Sequence, residues 1–465
     1  MPDRFAEHTL APDLPEAERE LPVVVVGAGF SGTLLAINLL RQGGSVVLVE
    51  RDADRLGRGQ AFGTRQVEHL LNVRASNMSA FPGDMTHFQS WADRTMGQEG
   101  HRFVPRLAYG HYLHDQLAAA LAAAPDRLRI LVGEARDATF GEAQVDVHLA
   151  DGEVIAAKAM VLALGNLVPS PPAPLAGLSP KVLRADPWGP GVADRLDDES
   201  HVLLVGTGLT AADVAISLDR AGFGGWITAL SRRGLMPRAH AEHGPHVSPV
   251  PRPAERGSWL LHAVRMRARQ EGWREAVDEL RPHTQALWRL HDAAAQARFL
   301  RHLRPWWDVH RHRLAPPVAA HVDALIAAGR LSVAAGRIED AREEDGQAIV
   351  TWRERGGQES RQLTVDRVIL CTGPEADITR CGEALLGRLV ARGMARPDTH
   401  RLGLDVDHGA RVIGTDGRAS ELLYAVGPMT KGAEWEIVAV PDIRRQVWTL
   451  ARVLTNTQWV GGEGL

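Results

Sequence analysis

Residues 23–50, VVVVGAGFSGTLLAINLLRQGGSVVLVE, decide the fold of this chain. Four consecutive valines suit a strand covered on both faces. The glycines that follow predict a turn, and FSGTLLAINLLR predicts a helix leading to a second apolar strand, VVLVE. Gly27, Gly29 and Gly32 stand in the order G-x-G-x-x-G directly after the first strand. The first allows a tight turn, the second lets a pyrophosphate approach the backbone, and the third lets helix and strand pack closely. Phe30 and Ser31 open the helix, whose free N–H groups and partial positive charge favour phosphate. Glu50 ends the second strand, 18 residues after Gly32, where a carboxylate would accept hydrogen bonds from an adenosine ribose, with Arg51 beside it.

The pattern returns at residues 201–218 as HVLLVGTGLTAADVAISL. Here Gly206, Thr207, Gly208, Leu209 and Thr210 form the turn, and Ala211 takes the third glycine's place. The next strand ends in SRRG rather than in an acid. Ser231, Arg232 and Arg233 would face the ribose 2′ position, where guanidinium groups bind a phosphate that a carboxylate would repel. NADPH is therefore expected over NADH, with His240 bordering the same nucleotide at the end of SRRGLMPRAH.

After each turn the same plan follows. The first copy continues into short strands around an Asp151-Gly152 hairpin turn and closes on MVLALG, ending at Gly165. The second closes on RVILCTG, with Thr372 and Gly373 at its end. Between the halves of the second copy, residues 240 to 325 form a helical insertion rich in His, Arg and Trp. The final segment, around Gly427, Trp435, Glu436 and Ile437, reads as a strand, a loop and a closing helix that return to the first domain. That return, the N-terminal position and Glu50 favour FAD at the first turn, with Ala135 and Gly165 among its contacts. The expected fold is α/β: two Rossmann-like dinucleotide-binding domains with a helical insertion in the second. The expected limits are a loose tail over 1–20, an FAD domain over 21–195 plus 366–465, and an NADPH domain over 196–365.

Composition narrows the function. Of 465 residues, 45% are hydrophobic and 24% charged, the balance of a folded soluble chain. A formal charge of −4 gives no pull toward nucleic acid or an anionic membrane. The two cysteines, Cys371 and Cys381, do not form a CxxC pair, which excludes a disulfide framework and the usual dithiol centre. No apolar run approaches the ~20 residues that span a bilayer, and the polar N-terminus reads as no signal peptide, so a cytoplasmic protein is expected. His240, His243, His246, His310 and His312 do not fit common zinc spacings, and no metal is expected.

At these residues the chain resembles the bacterial FAD/NAD(P)-binding oxidoreductases related to flavin-dependent N-hydroxylases and other class B flavoprotein monooxygenases. The marks are VVGAGFSGTLLAINLL, GRGQAFGT, HLLNVRASNMSAFPGD, SRRGLMPRAH and VGPMTKGAEWEIVAVPDIR. The resemblance covers residues 21 to 450 and implies FAD and NADPH as cofactors, with hydride passing from one to the other. It places LLNVRASNMSAF along the flavin ring, so Asn72, Asn77 and Met78, flanked by Ser76 and Ser79, are expected at the reacting edge together with Trp435. In a monooxygenase the reduced flavin would form a C4a-hydroperoxide that oxygenates a small nucleophile such as an amine. The Baeyer–Villiger fingerprint is absent; residues 165–191 read GNLVPSPPAPLAGLSPKVLRADPWGPG instead. A reductase or dehydrogenase passing electrons to a partner or quinone, and a non-catalytic redox sensor or scaffold, remain open on the same fold. Trp306, Trp307, Arg311 and Arg313 read either as a substrate wall carrying a cationic clamp or, preferably, with Trp306 and Trp307 simply pinning the insertion onto the core. The expected partners are a small-molecule substrate and O2, without nucleic acid or membrane; a homo-oligomer is compatible with the sequence.

Overall fold

In the computed structural model, which describes residues 20–97, 103–189, 191–242 and 250–457, Val23–Val26 form a strand, β1, buried along its whole length. It is followed by helix α1 (Phe30–Arg41) and strand β2 (Val46–Glu50). Every side chain of α1 from Phe30 to Leu40 is buried. A helix without a polar face needs cover all round, and α1 has β1 and β2 on one side and two further helices of its own unit against it.

The chain continues through α2 (His87–Met96), α3 (Arg106–Ala123), β3 (Leu128–Val132), β4 (Ala135–Phe140), β5 (Val145–Leu149), β6 (Val154–Ala157) and β7 (Ala159–Leu162). Strand β1 lies between β2 and β7, parallel to both, with Val26 opposite Val49 and Leu162. Strands β4, β5 and β6 form a separate antiparallel meander, turning at Asp151-Gly152 as the hairpin signal predicts.

A short β8 (Leu183–Arg184) precedes the second copy: β9 (His201–Val205), α4 (Leu209–Arg220) and β10 (Trp226–Ser231). Helices α5 (Gly257–Glu271), α6 (Trp273–Leu280), α7 (Thr284–Arg289), α8 (Ala293–His302), α9 (Arg304–Arg311) and α10 (Pro316–Ala327) follow. Then come β11 (Leu331–Glu344), β12 (Gln347–Glu354), β13 (Ser360–Val365) and β14 (Arg367–Leu370). Their sheet has the order β13-β12-β11-β10-β9-β14-β8. Helix α10 packs on α4 and leads into β11, the parallel neighbour of β10. It is thus the crossover helix of the repeat, so the inserted part ends before the expected residue 325.

The chain closes with α11 (Ala384–Ala391), β15 (Arg411–Ile413), β16 (Ala419–Ala425) and α12 (Val440–Leu454). Strand β16 pairs parallel with β7, completing a sheet of order β15-β16-β7-β1-β2-β3. Helix α12 supplies part of the cover over α1.

Among the described residues two compact units result, with breaks after residues 65, 72, 167 and 375: segments 66–72 and 168–375 form one unit and the remaining described residues the other. These breaks differ from the expected 195/196 and 365/366 for a sheet-level reason. Strand β14 pairs with both β9 and β8, so 168–195 and 366–375 go with the second sheet. The segment 66–72, too short and irregular to signal itself, also packs with the second unit.

The glycine turns repeat in atomic detail. The Gly27 amide donates to Val49 O and the Gly206 amide to Leu230 O, each at 2.8 Å. Gly27, at φ +100°, has no room for a Cβ, which would stand 2.5 Å from Ala163 O; a Cβ on Gly206, at φ +125°, would collide with Cys371 O. A Cβ on Gly32 would collide with the Gly27 carbonyl oxygen. Gly32→Ala is therefore expected to cost more than ~2 kcal/mol, the range of overpacked buried sites, read as a lowered midpoint in urea unfolding.

Candidate cofactor sites

At the first turn, β1 and β2 bring the glycines and Glu50 together. The Ala28 amide donates to Glu50 Oε2 at 2.8 Å and the Asp52 amide to Oε1 at 3.3 Å. The buried carboxylate is thus folded back against the turn, and each oxygen can accept another hydrogen bond. Gly29 is the N-cap of α1, and the bare Cα of Gly59 faces it, a Cβ on Gly29 lying 3.4 Å from that atom. The Gly57 amide donates to Ala28 O at 2.9 Å, tying GRGQAFGT to the turn. Two facing glycines, a helix N-terminus and an oriented carboxylate fit an adenine dinucleotide. Arg51 is otherwise engaged: Glu383 takes both its terminal nitrogens at 3.0 Å and holds it charged.

Ala135 opens β4, buried opposite Leu149, and Gly165 follows β7 at φ +68°. Gly427, at φ +77°, lies against Ser31 of α1, where a Cβ would strike the serine hydroxyl. Its amide donates to Gln446 Oε1 of α12 at 2.8 Å. Trp435, Glu436 and Ile437 are all buried, and Glu436 holds the left-handed value φ +69° without being glycine. Strain of this kind, about 1–3 kcal/mol per residue, persists only where the surroundings enforce it. Lys431 lies 4.9 Å over the Trp435 ring.

The second turn differs where specificity is set. In register, Val205 faces Leu230 as Val26 faces Val49, so Ser231 occupies the position of Glu50. A hydroxyl pair, Thr207 Oγ1 to Ser231 Oγ at 2.9 Å, replaces the amide–carboxylate bond, and Gly234 N also donates to Ser231 Oγ. Arg232 is exposed, whereas Arg233 donates to Arg301 O at 3.0 Å. Of the two arginines, Arg232 is the better placed to meet a 2′-phosphate. Nothing lies within 4 Å of where a Gly208 Cβ would stand, so the start of α4, with Leu209 and Thr210, is open to a ligand. Thr372 and Gly373 follow β14, Gly373 at φ +83°. Cys371 before them is buried, and burial pushes its thiol well up.

The segment expected along the flavin is split between the units. Asn72 belongs to the second, whereas Asn77 and Met78 belong to the first. Ala75–Asn77 make a single 3-10 turn; Ser76 and Asn77 are exposed, and Met78 and Ser79 are buried. Arg444, on α12, donates to Ser79 O at 2.7 Å. Sequence reasoning missed this buried guanidinium, because nothing in the sequence separates it from the many surface arginines. His240 Nε2 lies 2.9 Å from Asn72 O. Since a carbonyl only accepts, this nitrogen is the protonated one.

Among the remaining candidates, Arg313 is nearly fully buried and pins the insertion, donating to Asp278, Arg274 O and His310 O. Trp306 is exposed and Trp307 half-buried. Arg311 and His312 are partly buried at the C-terminal end of α9, and His310 Nδ1 lies 2.7 Å from Trp306 O. His243 and His246 lie outside the described residues.

This geometry defines a class, the two-dinucleotide-domain flavoprotein fold, and comparisons with known proteins agree. Residues 24–167 match the family model described as FAD-NAD(P)-binding. No curated protein matches the chain in sequence. Among solved structures, the FAD-bound cadaverine monooxygenase of desferrioxamine biosynthesis from Erwinia amylovora is similar at TM-score 0.66 and 12% identity, over 94% of this chain and 95% of that one. The ornithine N-hydroxylase of Kutzneria sp. 744 is similar at TM-score 0.64 and 17% identity, covering 94% and 100%. Thioredoxin reductase from T. acidophilum is similar at TM-score 0.53 and 13% identity, covering 95% and 99%. Among the described residues, no helix is long and apolar enough to cross a membrane.

Two substitutions separate binding from folding at the second turn. Gly208→Ala is expected to change unfolding free energy by less than ~1 kcal/mol, the scale of an N-cap change, while weakening NADPH about tenfold or more, since the second glycine of such a turn is the one that lets a pyrophosphate approach the backbone. Arg232→Ala is expected to weaken NADPH by ~1–3 kcal/mol, the scale of a charge-assisted hydrogen bond, and to leave NADH nearly unchanged. Calorimetric titration with both nucleotides reads the difference.

Proposed function

We propose that this chain is an NADPH-dependent FAD monooxygenase that oxygenates a small nucleophilic substrate, with an amine nitrogen as the acceptor. The observation that carries the reading is the contrast between two otherwise matched turns. One strand ends in a carboxylate folded against its glycines, the other in a serine followed by an exposed arginine. The first suits the unmodified ribose of FAD and the second the 2′-phosphate of NADPH.

Bound FAD would supply the two-electron and oxygen chemistry, which the protein itself lacks. The chain's own residues bind and orient. The glycine turn and α1 would hold the FAD pyrophosphate, Glu50 would hold the ribose, and Asn77 with the buried 435–437 segment would face the reacting end. In the overall reaction an amine N–H becomes N–OH. NADPH supplies two electrons as a hydride, and the second oxygen atom of O2 leaves as water with the hydride's hydrogen and one proton from solvent.

Two observations favour this over a disulfide reductase on the same fold. Likeness to the ornithine, lysine and cadaverine monooxygenases runs from TM-score 0.62 to 0.66, against 0.51 to 0.56 for the thiol–disulfide enzymes. A reductase of that kind also relays electrons through a dithiol, whereas the cysteines here are both free, one of them buried with a raised pKa.

The test is a balance of products. Protein loaded with FAD is given NADPH, O2 and a panel of amines including ornithine, lysine and cadaverine. Hydroxylamine formed in proportion to NADPH consumed is the expected result. Hydrogen peroxide as the sole product with every amine, together with rapid reduction of a quinone, would assign the chain to electron transfer instead.

A further inference from the structure

Residues 66–72 leave the first unit, pack into the second, and return. They are held there at the middle, by His69, and at the C-terminal end, by Asn72. His69 is almost wholly buried, with Nε2 2.7 Å from Ser217 Oγ of α4 and its ring edge-on to Trp188 at 5.3 Å. Asn72 O accepts from His240 Nε2. The next residue, Val73, begins the run through Asn77 and Met78 to Ser79, whose carbonyl is fixed by Arg444.

His240 is itself held by the helical insertion. Arg238 N donates to Val309 O, Leu314 N to Arg238 O and His240 N to Leu314 O, each at 2.9 Å. Arg274 donates from two nitrogens to Ala239 O, at 3.0 and 3.3 Å. Its guanidinium lies 4.4 Å over the Trp273 ring, and that of the buried Arg313 lies 4.9 Å over the same ring. Arg238 and His240 are thus laced to the insertion by main-chain bonds, and Ala239 between them by the Arg274 side chain. The other end of this ten-residue loop is Ser231-Arg232, and Arg232 is the residue read above as meeting the 2′-phosphate.

We propose that His240 is a positioning residue, and that loop 231–240 and the strap 66–72 together transmit occupancy of the second dinucleotide site to residues 73–79. The proposal rests on NADPH binding at the second turn, as read above. A nucleotide anchored on Arg232 restrains one end of the loop. The insertion restrains the other, so the Nε2–H of His240 holds the Asn72 carbonyl in one place. Covalent continuity then limits where Val73 and the turn at Ala75–Asn77 can go. On this reading the insertion exists in part to hold His240.

Hydrogen exchange read by mass spectrometry tests this without requiring flavin. In the full-length protein, NADP+ is expected to slow exchange in peptides covering 204–211, at the second turn, and also in those covering 70–79. The second effect is expected at about tenfold, the size of one retained hydrogen bond. His240→Ala is expected to keep protection at 204–211 and lose it at 70–79. His240→Gln, which keeps an N–H donor, is expected to restore part of it. Ser217→Ala, which loosens the middle of the strap at His69, and Arg274→Ala, which acts only through the insertion, serve if the first variant does not fold; each is expected to diminish protection at 70–79. Protection at 204–211 without any at 70–79 in the unmodified protein would overturn the coupling, as would full protection at 70–79 in His240→Ala. No protection at 204–211 would remove its basis. Protein that binds no FAD yet shows the coupled protection would refute the proposed function and leave the coupling standing.

Discussion

The close approach of a glycine turn to the end of a neighbouring parallel strand is the constraint on which the rest of this structure depends. Gly27 sits against Ala163 O and Gly206 against Cys371 O, with no space for a side chain at either place. Because the backbone comes so near, the helix that follows starts directly above the strand ends, and its N-terminus faces outward from the sheet. An anion-binding surface is the result of packing before it is the result of any side chain. The chain builds that surface twice and then differentiates the copies most plainly at the end of the second strand, Glu50 against Ser231.

How legible this was depended on whether the signal was local. The two βαβ units were readable because strand, turn and helix are set by neighbours in sequence: four valines, three glycines, an apolar helix. The equivalence of Glu50 and Ser231 was readable for the same reason and agrees with the strand register. Allegiance of the linkers was less so. Residues 168–195 and 366–375 belong with the second sheet because β14 lies between β9 and β8, a pairing between segments far apart in the chain.

Long-range side-chain partners were the least legible. Arg51 looked like a cofactor contact from its place after Glu50, yet Glu383 engages it from 332 residues away. His240 was expected at the nucleotide and gives its Nε2–H to Asn72 O. Arg444 and His69 fall inside two of the stretches that mark the resemblance, but nothing in those stretches shows their burial or their partners: a buried guanidinium is spelled like an exposed one, and a seven-residue strap has no periodicity. The preference for Trp306 and Trp307 as pins did not anticipate that Trp306 faces solvent or that the buried Arg313, weighed only as part of a substrate wall, fixes the insertion.

The position of β16 has a consequence for synthesis on the ribosome. Strand β7 has its neighbour on one side, β1, as soon as it is made, but its other neighbour is the strand at Ala419–Ala425. Until that late segment emerges, β7 presents an uncovered row of amides and carbonyls flanked by apolar side chains, the usual template for wrong pairing. Meanwhile nearly all of the other unit, residues 168–375, is already available to fold. The order of assembly therefore runs against the order of translation, and the nascent N-terminal sheet is where chaperone demand should concentrate.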